Sequence, residues 1–209
     1  MQITSIHIKQ VKRLAKQLES IYPTLKMGQR LDKAATQYLG IRNYHEVHCL
    51  YDKWVMLHVH PSEDADRVSK CAYCEFIFAP DIKENLQSHR KIHEQFHEAC
   101  VSLGYQPGNY VRRELMKRDG REQAESGQSV EIRVEGVLIL LRGWFDRSLA
   151  DAIHGKYWRK HPTFEAYVAM IQDTVGSSYH DLQRILKERY GYLPCVIQAG
   201  NSYWYPEHD

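Results

Sequence analysis

The stretch C-A-Y-C at residues 71–74, followed after fourteen residues by H-R-K-I-H at 89–93, decides how the rest of the chain is read. Two cysteines with two residues between them, then two histidines with three between them, have the spacing of zinc ligands. The first pair fits a tight turn that aims both thiolates at one point. The second pair needs a helix, which sets residues i and i+4 on one face. Asp81 is placed to cap that helix, with Glu84 at the third position of a capping box. Gly104, with Pro107 beyond it, marks the stop. Leu86, His89, His93, Phe96, Cys100 and Leu103 recur at steps of three and four on one stripe. The stripe passes from ligands to core, so the helix is expected to run about three turns beyond the metal.

Cys71, Cys74, His89 and His93, with Phe78 four residues after Cys74 and Leu86 three before His89, resemble a two-cysteine, two-histidine zinc finger. The resemblance covers Cys71 to His93 and departs in two extra residues between Phe78 and Leu86. It implies one Zn2+ held by those four side chains. Members of that family read DNA bases from the helix. The matching positions here, Ile82, Asn85 and Ser88 with Glu84 beside them, lack the Arg or Lys that reads guanine. The finger is therefore expected to be a structural hinge first and a reader second. An overlapping motif, H-E-Q-F-H at 93–97, matches the H-E-x-x-H signature of zinc proteases with Glu94 as the base. A catalytic zinc keeps an open position. With four protein ligands the site is closed, so no catalytic residue is expected.

The chain has 209 residues, 43% of them hydrophobic, enough for a packed core. Of five cysteines, Cys71 and Cys74 go to the metal, while Cys49, Cys100 and Cys195 read as ordinary thiols of a reducing cytoplasm. The first residues lack the apolar core of a signal peptide, and the longest apolar run, Val137–Leu141, is too short to span a bilayer. No membrane partner is expected. The net charge of +2 hides an uneven distribution: residues 1–50 carry eight lysines and arginines against three acids. That basic head invites a polyanion.

Three helices are predicted in the head, over 4–20, about 26–39 and from Asn43, where Glu46 completes a capping pair. In the first, Ile8, Val11, Leu14, Ala15 and Leu18 form the apolar stripe, with Lys9, Lys12, Arg13 and Lys16 mostly opposite. Pro23 breaks the first helix and Gly40 stops the second. The phrase L-D-K-A-A-T-Q-Y-L-G-I-R-N-Y-H-E-V at 31–47, within residues 6–51, resembles a helical segment near the N-terminus of many bacterial, plasmid and phage proteins, in some fused to glyoxalase-like domains. It implies a mobile-element setting and supplies no catalytic residue. Residues 54–60 read as a short strand entering the finger.

Beyond the finger, 110–121 is a second basic segment with Arg112, Arg113 and Lys117, and E-Q-A-E-S-G-Q-S at 122–129 reads as a loop. Ser129 caps a long predicted helix to about Ile153, in which Asp146 pairs with Arg142 or Arg147. Thr163 caps another, ended by Gly176, and Ser178 with Asp181 caps a third, ended by Gly191. Two strands around Gly200-Asn201 follow. That order resembles a winged helix-turn-helix, with Tyr179, His180, Gln183, Arg184 and Lys187 facing the major groove and Tyr203 and Tyr205 near the backbone.

The expected fold is mainly α with small β elements. It comprises a basic three-helix bundle (1–53), a zinc finger with an extended helix (54–107), and a helical, winged-helix-like domain with a C-terminal hairpin (108–209). The expected function is a non-enzymatic, zinc-containing, nucleic-acid-binding regulator of a bacterial mobile element or phage. Its contacts to DNA or RNA would be Lys9, Lys12, Arg13, Lys16, Arg112, Arg113, Lys117, Gln183, Arg184 and Lys187. Two alternatives stand beside it: an inhibitor or adaptor binding a host-defence protein complex, and a zinc hydrolase using Glu94.

Overall fold

Helix α1 spans Ser5–Gln17, α2 Met27–Leu39 and α3 Tyr44–Met56. A computed structural model describes residues 2–61 and 68–194 of the chain. Within them the protein is mainly helical, with one small antiparallel sheet. Two compact units are present, Met1–Glu94 and Gln95–Asp209.

In the first unit the helix ends follow local chemistry. The Asn43 side chain accepts the Glu46 N–H at 2.8 Å and starts α3. Gly40 ends α2 in the left-handed region at φ +67°, where a side chain would be strained. Helix α1 is shorter than its periodicity predicts, loosening into turns after Gln17. Ile8, Val11 and Ala15 from α1, Ala34 and Ala35 from α2, and Val47, Tyr51, Trp54 and Val55 from α3 share one buried core. Trp54–Met56, predicted as strand, complete α3 because Val47, Tyr51, Trp54 and Val55 lie at helical spacing.

Strands β1 (Val59–Pro61), β2 (Ser69–Cys71) and β3 (Ile77–Phe78) form the sheet in that order, with Val59 opposite Cys71 and Lys70 opposite Ile77. Helix α4 follows, Lys83–Leu103. It ends as the sequence predicts: Gly104 takes φ +62° and the Tyr105 N–H returns to the Cys100 carbonyl at 3.2 Å. The division between the two units falls inside α4.

The second unit holds α5 (Tyr110–Ser126) and α6 (Val130–His154), joined by residues 127–129. The loop predicted at 122–129 is thus mostly helix. Its apolar content is low because the contact is made by backbone. A Cβ on Gly120 would stand 2.4 Å from the Leu140 nitrogen, and one on Gly136 2.4 Å from the Ala124 nitrogen. Gly136→Ala forces these helices apart and is expected to cost about 3 kcal/mol. Urea unfolding measures that loss, and a loss under about 1 kcal/mol would contradict the close contact.

A 3-10 turn (Trp158–Lys160) leads to α7 (Phe164–Met170), α8 (Gln172–Ser178) and α9 (His180–Tyr190). Thr163 caps α7 as predicted, accepting the Ala166 N–H at 3.3 Å. The turn predicted after Gly176 is absent: Gly176 lies inside α8, and Tyr179 alone separates α8 from α9, with no side-chain cap. Tertiary packing accounts for the glycine. The Gln183 side chain lies against Gly176, where a Cβ would meet it at 2.4 Å. Cys195 and the predicted hairpin, with Tyr203 and Tyr205, lie outside the described residues. Among the described residues no helix is long and apolar enough to cross a membrane.

Candidate metal centre

The hairpin of β2 and β3 presents the cysteines. The Cys71 N–H donates to the Phe76 carbonyl at 3.0 Å, and the Glu75 N–H to the Cys71 carbonyl at 2.8 Å. Glu75 closes this knuckle at φ +60°. Helix α4 presents His89 and His93 one turn apart, toward the knuckle. Cys71, Cys74, His89 and His93 are all buried, and their donor atoms lie within 4.8 Å of one another.

The four residues fit a metal ion on their own chemistry. Both ring nitrogens of His89 and the Nε2 of His93 are buried with no hydrogen-bond partner among the described residues. Each such orphan costs about 1–3 kcal/mol, and a metal bound through one nitrogen of each ring relieves most of it. The Cys74 thiol, with the His89 and His93 imidazoles, holds the Cys71 thiol well below its usual range. Facing Cys71 and buried, Cys74 is pushed up. A divalent cation would take both as thiolates.

The rings around the centre are aromatic. Phe78 is buried and stacks on His89 at 4.2 Å. Tyr73 lies 4.9 Å from His93, and Trp54 meets His93 edge-on at 4.6 Å. Trp54 and Tyr73 were not singled out in the sequence, where nothing but their aromatic character marks them. Glu94, the base of the H-E-x-x-H match, accepts the Tyr51 hydroxyl. Burial first, then that hydrogen bond, pushes the Tyr51 phenol up. His97 is not one of the four clustered donors.

No family model, curated protein or solved structure matches the chain. Its chemistry is therefore read from its own side chains.

The cations named in the sequence fall into three groups. On α1, Lys9, Lys12, Arg13 and Lys16 are all exposed and line one shallow depression. None of the four is paired with a carboxylate among the described residues.

On α5 the structure corrects the surface reading. Arg113 is buried and donates to the Gly108 carbonyl at 3.0 Å. Lys117 is mostly covered, pairs with Glu114 and packs where Gly143 leaves room. Arg112 is exposed. On α9, Gln183 turns inward and its side-chain N–H donates to the Gln172 carbonyl at 2.8 Å. Arg184 is exposed and pairs with Glu188 at 2.7 Å. The Lys187 ammonium lies 5.1 Å over the Tyr192 ring.

Two buried polar contacts sit in the second unit. Asp146 accepts the Tyr105 hydroxyl at 2.5 Å and the Gly108 N–H at 2.7 Å. Burial raises its carboxyl, against those bonds. The helix ion pair predicted for it is replaced by contacts to residues 105–108, and Arg142 lies over the Phe164 ring at 3.4 Å. Ser148, missed in the sequence, lies 2.9 Å from His161 Nε2. Burial pushes His161 down to about 4, against the Pro162 carbonyl beside its Nδ1, so the ring is neutral at pH 7. Phe145, Trp158, His161 and Phe164 line a cavity of about 250 Å3 next to this pair. Ser148 itself is 1% exposed in mid-helix.

Proposed function

We propose that this protein is a zinc-containing, nucleic-acid-binding regulator that works without catalysis, and that the exposed face of α1 is its polyanion surface. One observation carries the reading: Lys9, Lys12, Arg13 and Lys16 stand within two turns, opposite the buried Ile8, Val11 and Ala15, with no acid paired to them among the described residues. Cations so placed neutralise phosphates and release counterions. Zinc is the metal because two thiolates and two imidazoles in a closed set suit its tetrahedral preference. The bacterial mobile-element setting rests on the resemblance read in the sequence of residues 6–51 alone, and the cytoplasmic location on cysteine usage that suits a reducing compartment. The α9 surface has less support, since Gln183 is turned inward and Arg184 engages Glu188.

A second reading, a protein-binding inhibitor or adaptor, draws on Val111 and Leu115, exposed one turn apart on α5. Salt separates the two. Affinity for a short DNA duplex or RNA strand is expected to fall steeply between 50 and 200 mM salt, roughly in proportion to the phosphates contacted. Replacing Lys9, Lys12, Arg13 and Lys16 together by Ala should flatten the slope of log K against log salt by about three to four units. Circular dichroism should be unchanged, because none of the four belongs to the buried stripe. A wild-type chain with no salt-dependent binding sinks the reading. A quadruple variant that binds like wild type moves the surface elsewhere.

A further inference from the structure

His89 and His93 are held by different parts of the chain. Around His89 the walls come from the hairpin itself: Phe78 stacks at 4.2 Å and Phe76 lies nearly parallel at 6.4 Å. His93 has one wall from the knuckle, Tyr73 at 4.9 Å. Its other wall is Trp54 of α3, edge-on at 4.6 Å and 86°, from outside the metal-binding stretch. The same two helices meet on either side of this contact. Glu94 accepts the Tyr51 hydroxyl, and Arg90 pairs with Asp52 at 3.0 Å. Trp54 is 5% exposed and belongs to the core shared by α1, α2 and α3.

A histidine ligand commonly gives its second ring N–H to a carboxylate or carbonyl, which fixes the ring and the tautomer. Neither ligand histidine has such a partner among the described residues. The Nδ1 of His93 faces the Cys71 sulfur at 3.5 Å, and its Nε2 is buried without one. Ring packing is left to set the angle at which the imidazole meets the metal. An edge-to-face pair does this because the positive edge of one ring prefers the negative face of the other.

We propose that Trp54 is a positioning residue for the His93 ligand, backed by the Tyr51–Glu94 hydrogen bond, so that part of the metal centre is built by the helix before the finger. The proposal rests on the zinc reading above.

The test uses the full-length chain titrated with Co2+, whose visible absorption reports tetrahedral thiolate and imidazole ligation, against a competing chelator. Trp54→Leu is expected to weaken cobalt binding by about 10- to 100-fold and to alter the visible bands. Trp54→Phe keeps a ring in place and should stay within about threefold of wild type. Val11→Ala trims the same core from α1 and supplies the control for lost stability, expected within about threefold under conditions where circular dichroism shows a folded chain. Unchanged affinity and bands in Trp54→Leu would overturn the proposal, as would an equal loss in Val11→Ala. If Trp54→Leu does not fold, Tyr51→Phe decides: it removes one hydroxyl, and roughly tenfold weaker binding supports the proposal while a change within about threefold overturns it. A wild-type chain that takes up no cobalt overturns the zinc reading as well, which separates the two failures.

Discussion

Stripping the metal proposed for Cys71, Cys74, His89 and His93 with a strong chelator is expected to unfold the β1–β3 hairpin region and the first turns of α4. The four side chains are buried and converge within 4.8 Å. Without an ion, they leave a thiol pair and two poorly partnered imidazoles packed against Phe78, Tyr73 and Trp54. Structural zinc in finger peptides is worth about 10–16 kcal/mol of apparent binding free energy near pH 7, and that energy is folding energy. Cys74→Ser should reproduce the effect, while His97→Ala should not. Because thiols and imidazoles must lose protons to bind, metal affinity should rise with pH and fall on acidification. Elemental analysis should find one zinc per chain. A chain that keeps its helical dichroism and its urea midpoint after complete metal removal would show that the centre holds nothing together.

Phe96→Ala is expected to cost about 3–5 kcal/mol, the range for deleting a buried phenyl ring. Phe96 is 2% exposed and packs at 5.8 Å from the His154 ring within the second unit. Ala99 and Cys100, on the same helix, are buried beside it in the sequence. The Gln95 amide donates to the Ile153 carbonyl at 2.6 Å, so the start of this segment is tied to α6 by a hydrogen bond as well. Phe96→Leu should cost less than about 1.5 kcal/mol, because most of the volume is kept. Neither variant should change metal uptake, since Phe96 lies beyond the four candidate ligands. A loss below about 1 kcal/mol for Phe96→Ala, read from urea unfolding, would mean that the stripe on α4 does not enter a core.

The continuation of that stripe was readable in advance because it depends only on helical repeat. His89, His93, Phe96 and Cys100 fall on one face of any regular helix, whatever surrounds it. The donors of the metal centre were readable for the same reason, joined by the short reach of the C-x-x-C turn. Helix ends at Asn43, Gly104, Ser129 and Thr163 were likewise legible, because a cap or a left-handed glycine acts within a few residues.

Other features had no local cause. The segment 122–126 has one small apolar residue, Ala124, yet it is helical because Gly120 and Gly136 let two backbones touch. Arg113 and Gln183 carry the polarity of surface residues, but carbonyls outside their own helices, Gly108 for Arg113 and Gln172 for Gln183, hold them inward. Asp146 is one residue from Arg147 and four from Arg142, yet it binds Tyr105 and Gly108, brought to it by the end of α4. By itself, then, the sequence determined the four donors, most helix starts and stops and the basic face of α1, all consequences of spacing along a regular backbone. Tertiary structure alone decided which cations stay in water, where the helices of the second unit break, and that Trp54 closes over His93. Each of those depends on which distant segment comes to lie against the residue, and no short-range pattern encodes that.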